Sequence, residues 1–257
     1  MNNRLPKYQH LQTPTIFAHR GASVYAPENT LSSFLLAISQ NADAIELDAK
    51  LCASGEVVVI HDPSVDRTTN GLGKVLELPL KALREFDAGS WFGTDFQGEG
   101  IPTLDEVFEV VGRKIFINVE ITNYASPCDD LPNSVVELVR RHGLQESVLF
   151  SSFNPLALRK ANKLLPEVPI GLLALPGIQG AWARSWPGRF VPHQALHPEM
   201  QDTTLNLINK QHRLGRRVHV WTVNSADNMR TLFNWKIDGI FTDDPLLAQQ
   251  ILTQATS

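Results

Sequence analysis

The sequence predicts an α/β fold, a TIM (β/α)8 barrel with a small insertion after the second strand. The length of 257 residues, 43% of them hydrophobic, suits one large barrel core of roughly 250 residues. Short apolar runs alternate along the chain with segments of helical periodicity, which is typical of βαβ units and a parallel sheet. The alternation gives eight strand–helix repeats, the number that closes such a barrel.

Each predicted strand is a short apolar run. The first covers residues 15–18 and the second 42–48, and a further run at 57–60 also has strand character. The other barrel strands are predicted at 115–120, 147–151, 168–173, 195–197, 217–223 and 239–241.

The predicted helices lie between these strands. The first begins after Pro27, where Leu31, Phe34, Leu35 and Ile38 recur at helical spacing. The later helices are predicted at 105–111, 134–141, 154–165, 203–212, 229–235 and 246–252.

Two stretches do not fit the repeat. Residues 62–100 are rich in glycine, and we expect them to form a small subdomain inserted into a single domain that spans 1–257. Residues 174–193 form a long loop on the face where a barrel builds its active site. Long ordered loops in compact domains are usually functional.

The composition excludes several classes of protein. The net charge of −4 and the lack of a Lys/Arg-rich run argue against binding to nucleic acid. Two cysteines form no disulfide framework and indicate a reducing compartment. The polar N-terminus lacks the core of a signal peptide, and no apolar run reaches the roughly 20 residues of a spanning helix. We therefore expect a cytoplasmic protein without an integral membrane segment.

Charged side chains cluster at the ends of the first predicted strands. Carboxylates there are costly to bury unless a cation compensates them. Glu46 and Asp48 share one face of their strand because side chains alternate, and Glu120 shares a face with Asn118 on another strand. The whole set comprises two histidines, one arginine and three carboxylates: His19, Arg20, Glu46, Asp48, His61 and Glu120. This combination indicates metal-assisted phosphoryl transfer.

Residue chemistry suggests a role for each group. The three carboxylates offer hard oxygen ligands, which suit Mg²⁺ or Ca²⁺. The two histidines suit acid–base catalysis near neutral pH. Arg20 can pair with a carboxylate or hold the substrate phosphate, since its planar fork fits both. Trp221 either fills the barrel or forms an aromatic wall for the substrate. Asn29 and Thr30 are expected to start a helix, whereas Glu28 is a candidate to support the site.

The order of these motifs resembles the glycerophosphodiester phosphodiesterase family from about residue 16 to residue 245. The segments that carry the resemblance are His19-Arg20-Gly21, Pro27-Glu28-Asn29-Thr30, Glu46-Leu47-Asp48, His61-Asp62, Arg67-Thr68-Thr69, Asn118-Val119-Glu120, Ser151-Ser152-Phe153, Trp221-Thr222-Val223-Asn224, Asp238-Gly239-Ile240 and Thr242-Asp243.

The resemblance implies a TIM barrel in which Glu46, Asp48 and Glu120 hold a divalent metal, Ca²⁺ or Mg²⁺. It implies His19 and His61 as the acid–base pair. It also implies a small-molecule substrate such as glycerophosphocholine or glycerophosphoethanolamine, which is cleaved to glycerol 3-phosphate and an alcohol.

One position departs from the family pattern. Members of the family often have lysine two residues after the third carboxylate, and this chain has Thr122. A catalytically silent phosphate-binding barrel is therefore one alternative. Another is a lysophospholipase D or phospholipid lyase, which needs an apolar trough for an acyl chain. Candidates for that trough lie in the long loop: Trp182, Arg184, Trp186 and Arg189.

Overall fold

The computed structural model describes residue 5, residues 7–124 and residues 126–256. Residues 1–4 lie outside this part, so the absence of a signal peptide stays a prediction. Within the described residues nine strands form one sheet. They are β1 (Thr15–Ala18), β2 (Ala44–Leu51), β3 (Val57–Val59), β4 (Phe116–Ile121), β5 (Val148–Ser152), β6 (Ile170–Ala174), β7 (Ala195–Pro198), β8 (Arg217–Val220) and β9 (Gly239–Thr242).

Eight of these strands close into a parallel barrel. The order runs β1-β9-β8-β7-β6-β5-β4-β2, and β1 pairs with β2 to complete the circle. β3 pairs antiparallel with β2 alone, with Leu51 opposite Val57. A short connection of this kind permits only an antiparallel partner, because a parallel crossover needs about a dozen residues. The predicted TIM barrel is confirmed, and the run at 57–60 forms a hairpin outside it.

The helices lie between the barrel strands as the periodicity predicts. They are α1 (Leu31–Ser39), α2 (Leu80–Leu83), α3 (Leu104–Val111), α4 (Leu131–His142), α5 (Pro155–Leu164), α6 (Ala181–Arg184), α7 (Leu205–His212), α8 (Ala226–Asn234) and α9 (Pro245–Thr256). Hydroxyl caps fix two of the starts, since Thr30 and Thr103 each form a capping box with the third helical residue.

The core has two layers. Outside the strands, apolar side chains such as Phe34, Leu47 and Val119 are fully buried against the helices. Inside the barrel, His197 of β7 packs over Gly171 of β6, and a Cβ at residue 171 would lie 2.3 Å from the imidazole Cε1. The barrel interior therefore accepts glycine at this position because the neighbouring ring needs the space.

Residues 62–100 leave the barrel as the predicted insertion. Val65, Val75, Leu83 and Ala88 form a small apolar cluster that also includes Ile60 at the end of the β3 hairpin. This contact fixes the insertion against the hairpin. The division of the whole chain into one domain with one subdomain stays a prediction.

The long loop after β6 contains α6 and two turns of 3₁₀ helix. Trp182 packs against the main core, whereas Trp186 is 63% exposed. Arg184 turns inward to Asp202 and to carbonyl groups of its own loop. Among the described residues, no helix has the length and apolarity to cross a membrane.

Candidate active site

A cavity of about 100 Å³ opens at the end of the barrel where the parallel strands finish. TIM barrels build their active sites at this end. Every site residue predicted from the sequence lines the cavity: His19, Arg20, Glu46, Asp48, His61, Glu120 and Trp221. A larger groove of about 1060 Å³ lies at the opposite end, beside residues that precede the strands, and it contains none of these groups.

Two neighbouring strands carry the three carboxylates. In the β2–β4 ladder, Glu46 lies beside Asn118 and Asp48 beside Glu120. Ligand oxygens from Glu46, Asp48 and Glu120 lie within 4.8 Å of one another. β2 extends to Leu51, beyond the predicted end at Asp48, so Glu46 and Asp48 lie well within the strand. The regular ladder therefore gives these groups their common direction.

The electrostatics of this cluster favour a cation. Burial, and then the charge of Asp48, raises the pKa of both Glu46 and Glu120 above the ordinary value. In the described part of the chain, Glu46 Oε1 and Asn118 Oδ1 are buried without a hydrogen-bond donor. Closely spaced carboxylates and unpaired buried oxygens form a hard-donor set that a divalent ion would satisfy.

Asn29 holds Asp48 in place. Its Nδ2 donates to Asp48 Oδ2 at 2.9 Å, and its Oδ1 accepts from the Asp48 backbone N–H at 3.2 Å. The expectation that Asn29 starts a helix is wrong, because Thr30 alone caps α1. Burial opposes the ionisation of Asp48, but Arg20, His61 and Asn29 outweigh it and keep the pKa below its ordinary value.

His19 follows β1 and is oriented by a carboxylate from the other end of the chain. Its Nδ1 lies 2.6 Å from Asp243 Oδ1, and its Nε2 lies 4.0 Å from Glu46 Oε2. Burial opposes the ionisation of Asp243, but hydrogen bonds from His19, Asn224 and Ser23 lower its pKa. Because Asp243 is ionised, it accepts the Nδ1–H of His19, and Nε2 is the ring nitrogen directed toward Glu46.

His61 has a matching partner in the next residue. Its Nδ1 lies 2.6 Å from Asp62 Oδ1, and Arg67 donates through Nε to Asp62 Oδ2 at 2.6 Å. The hydrogen bond from Arg67, followed by that from His61, lowers the pKa of Asp62 to about 2 against the effect of burial. Asp62 therefore orients the His61 ring.

Arg67 also connects this pair to Arg20. Its two terminal nitrogens donate to Glu28 at 2.8 Å each, and Arg20 Nη1 donates to the same carboxylate at 2.9 Å. Arg20 Nε lies 3.4 Å from Asp48 Oδ2. Arg20 thus pairs with Glu28 and Asp48. Glu28 supports the site, as the sequence suggested.

Lys50 brings a further positive charge beside the carboxylate cluster, where burial lowers its pKa and the charges of Asp48 and Glu120 oppose that shift. It follows Asp48 by two residues on β2, and its Nζ donates to Thr122 Oγ1 at 2.7 Å and to the Thr122 carbonyl at 3.3 Å. Thr122 Oγ1 in turn donates to the Ala49 carbonyl at 2.6 Å. The position where the family often has lysine is therefore occupied by the ammonium of a lysine from the adjacent strand.

Aromatic side chains form the opposite wall. Trp221 follows β8 and donates through Nε1 to the His197 carbonyl at 2.8 Å. Its ring meets Phe153 edge to face at 5.5 Å, and Phe153 meets Tyr124 at 5.6 Å. Tyr124 also donates its hydroxyl to Glu120 Oε1. The structure thus places Trp221 in the cavity wall.

Comparison with known proteins identifies the family. Residues 19–247 match the model of the Glycerophosphoryl diester phosphodiesterase family. The chain belongs to this family. A glycerophosphodiester phosphodiesterase of Caldanaerobacter subterraneus is 38% identical over 231 residues, which cover 90% of this chain and 94% of the relative. A glycerophosphodiester phosphodiesterase of Bacillus altitudinis is 32% identical over 243 residues, with 92% and 97% covered.

A solved structure extends the comparison to the fold. It shows an Oleispira antarctica phosphodiesterase in complex with the product sn-glycerol-3-phosphate, and it matches with a TM-score of 0.86 and 33% identity. The match covers 94% of this chain and 97% of that one. The present chain is therefore a hydrolase of the glycerophosphodiester phosphodiesterase family on a TIM barrel, as the motifs predicted.

Sequence reasoning missed several supporting residues of this phosphodiesterase. Asp243 was noted only as part of a motif, although it directly follows a predicted strand and so belongs at the same barrel end as His19. Lys50 shares the face of Glu46 and Asp48 by simple alternation, and this signal could have found it. The pairing of Arg67 with both Asp62 and Glu28 has no local signal, because the insertion must fold before these groups meet.

Proposed function

We propose that this protein hydrolyses small glycerophosphodiesters, such as glycerophosphocholine or glycerophosphoethanolamine, to glycerol 3-phosphate and an alcohol in a metal-dependent reaction. The observation that carries the proposal is one cavity in which three clustered carboxylates lie beside two histidines, each oriented by its own aspartate. The bound product of the Oleispira antarctica relative supports the same substrate class.

Glu46, Asp48 and Glu120 would hold the metal, with Asn118 Oδ1 as a further oxygen nearby. The ion is Ca²⁺ or Mg²⁺, because all of these donors are hard oxygens. When bound, a divalent ion polarises a phosphoryl oxygen and orients the diester. Arg20, held by Glu28, adds a guanidinium that can donate two hydrogen bonds to the phosphate.

His19 and His61 act as the acid–base pair. One imidazole accepts the proton of the attacking hydroxyl group, which belongs to water or to the substrate. The other donates a proton to the alcohol oxygen as its bond to phosphorus breaks. Asp243 and Asp62 bind Nδ1 of the two rings, so Nε2 of each ring is the atom that exchanges protons. Trp221, with Phe153, forms an apolar wall for the carbon skeleton of the substrate.

The alternatives receive less support from the contacts. An acyl-bearing substrate needs a trough, but Trp182 packs on the core and Arg184 pairs with Asp202, which follows β7. A silent barrel has no need for two histidines with oriented Nδ1 atoms. The cytoplasmic location and the absence of nucleic-acid binding stay predictions.

Turnover of glycerophosphocholine, followed by ³¹P NMR, tests the proposal. We expect glycerol 3-phosphate to appear with added Ca²⁺ or Mg²⁺ and not after chelation with EDTA. A transient cyclic phosphate signal would identify the substrate hydroxyl as the nucleophile. The absence of turnover on glycerophosphocholine and glycerophosphoethanolamine with either ion would refute the proposed reaction.

A further inference from the structure

We propose that Lys50 binds the phosphate of the substrate. It would do so in place of a lysine at position 122, where this chain has threonine. The inference deepens the proposed function and rests on it. It starts from the ladder between β2 and β4, where Asp48 lies beside Glu120 and Ala49 beside Ile121. The next positions along this register are Lys50 and Thr122, and they point to the same side as Asp48 and Glu120 because side chains alternate.

The contact between Lys50 and Thr122 shows where the ammonium lies. Nζ donates to the side-chain oxygen and the carbonyl of Thr122, at 2.7 and 3.3 Å. The ammonium of Lys50 therefore lies against residue 122, the position where the family often has a lysine. An ammonium has three donors, and these two contacts leave one N–H for a ligand.

The charge of the cavity calls for this cation. Glu46, Asp48 and Glu120 carry three negative charges when ionised, and a phosphodiester adds a fourth. A divalent ion supplies two positive charges, and Arg20 shares its charge with Glu28, so negative charge remains at the cluster. Lys50 offsets part of this charge beside Asp48 and Glu120. It would attract the diester and donate a charge-assisted hydrogen bond to an oxygen of phosphorus.

The assignment also gives the carboxylate cluster a cation on each of two sides. Arg20 is tied to Glu28 and Asp48 on the β1 side of the carboxylates. Lys50 lies on the β4 side, next to Thr122. A phosphate above the carboxylate cluster would then have a cation on each side. Two flanking cations fix the orientation of a tetrahedral group better than one does.

The test compares four variants with the wild type: Lys50→Met, Lys50→Thr, the exchange variant Lys50→Thr/Thr122→Lys, and Lys163→Met. Lys163 is an exposed lysine near the far end of α5 and serves as the control. Calorimetry measures the affinity for sn-glycerol 3-phosphate at saturating Ca²⁺, and separately the affinity for Ca²⁺ alone. Assays with glycerophosphocholine give kcat/KM, and circular dichroism checks the fold.

We expect Lys50→Met and Lys50→Thr to lower the affinity for sn-glycerol 3-phosphate by about 10- to 100-fold, the usual effect of losing a hydrogen bond to a charged group. kcat/KM should fall at least as far. The exchange variant should recover to within about threefold of the wild type, and Lys163→Met should not differ from it. Affinity for Ca²⁺ alone should stay equal or rise, because a nearby positive charge has been removed.

The inference is overturned if Lys50→Met stays within threefold of the wild type in product affinity, or if the exchange variant binds no better than Lys50→Thr. A fall in Ca²⁺ affinity without a fall in product affinity would assign Lys50 to the structure of the metal site and would also overturn it. If the wild type binds sn-glycerol 3-phosphate but hydrolyses no glycerophosphodiester, the proposed reaction fails while the binding comparison still decides the role of Lys50.

Discussion

Replacing Asp243 by asparagine should inactivate His19 without moving it. Asn224 fixes how the new amide must lie. The Oδ1 of Asn224 accepts from the backbone N–H of residue 243 at 2.9 Å and from Thr242 Oγ1 at 3.2 Å. The Nδ2 of Asn224 must therefore donate to Oδ2 of residue 243 at 2.5 Å. An asparagine at 243 therefore keeps its oxygen toward Asn224 and turns its NH₂ group toward His19 Nδ1.

This orientation reverses the hydrogen bond to the imidazole. In the wild type, Nδ1 donates to Asp243 at 2.6 Å, so a proton can be gained and lost at Nε2. In Asp243→Asn, Nδ1 must accept from the amide, so Nε2 holds the ring proton and cannot accept one from the substrate. Ser23 can adapt, because it already donates its hydroxyl to the His19 carbonyl and can accept from the new amide. The packing should therefore survive, while Nε2 can no longer gain and lose a proton as either catalytic role requires.

We expect kcat to fall by about 10²- to 10⁴-fold, as for other losses of a general base or of its correct tautomer. The matched control is Asp244→Asn, the same change one residue away, where the side chain caps α9 through the Leu247 N–H. Asparagine also caps helices, so this control should keep near-wild-type activity. Activity of Asp243→Asn within threefold of the wild type, with an intact circular dichroism spectrum, would show that Asp243 does not set the His19 tautomer.

Three further predictions follow from the site and the core. His19→Ala and His61→Ala should each lower kcat by about 10²- to 10⁴-fold in turnover assays, and a variant with near-full activity would remove its histidine from the mechanism. Chelation of divalent ions should abolish activity but leave cooperative thermal unfolding in place, since the eight-stranded core does not depend on the ion; full activity after chelation would contradict this. Burial lowers the pKa of His193 to about 4 and of His197 to about 3. The unfolded chain, with a histidine pKa of about 6.5, binds protons that the native barrel rejects, so the free energy of unfolding should fall by up to about 2 kcal/mol per histidine from pH 7 to pH 5. Urea denaturation at the two pH values measures this effect, and an unchanged midpoint would argue against it.

The sequence predicted the barrel and the clustering of the three carboxylates because both depend on local periodicity. Alternation along a strand suffices to put Glu46 and Asp48 on one face, and the order of strands then brings Glu120 beside them. The observed ends of strands and helices differ from the predicted ends by a few residues, for local reasons. α4 begins at Leu131, ahead of the predicted start, because Pro132 is tolerated in a first helical turn.

The sequence did not predict the contacts that hold these groups in place. The His19–Asp243 pair spans 224 residues, and only barrel closure brings its members together. Asn29 has the sequence context of a helix start, and the structure gives that role to Thr30 because Asn29 turns back to Asp48. Thr122 raised the alternative of a catalytically silent barrel because its cross-strand neighbour Lys50 is not visible along one strand.

The hairpin of β2 and β3 has a consequence for engineering. His19 is mounted on the closed barrel, whereas His61 follows a strand that pairs with β2 alone, and Arg67 from the insertion links Asp62 to Glu28. The spacing between the two imidazoles is thus set by how the hairpin joins the barrel. Exchange of residues 62–100 between relatives, as a way to alter substrate range, must therefore keep the Arg67 contacts, or the second histidine loses its alignment with the first.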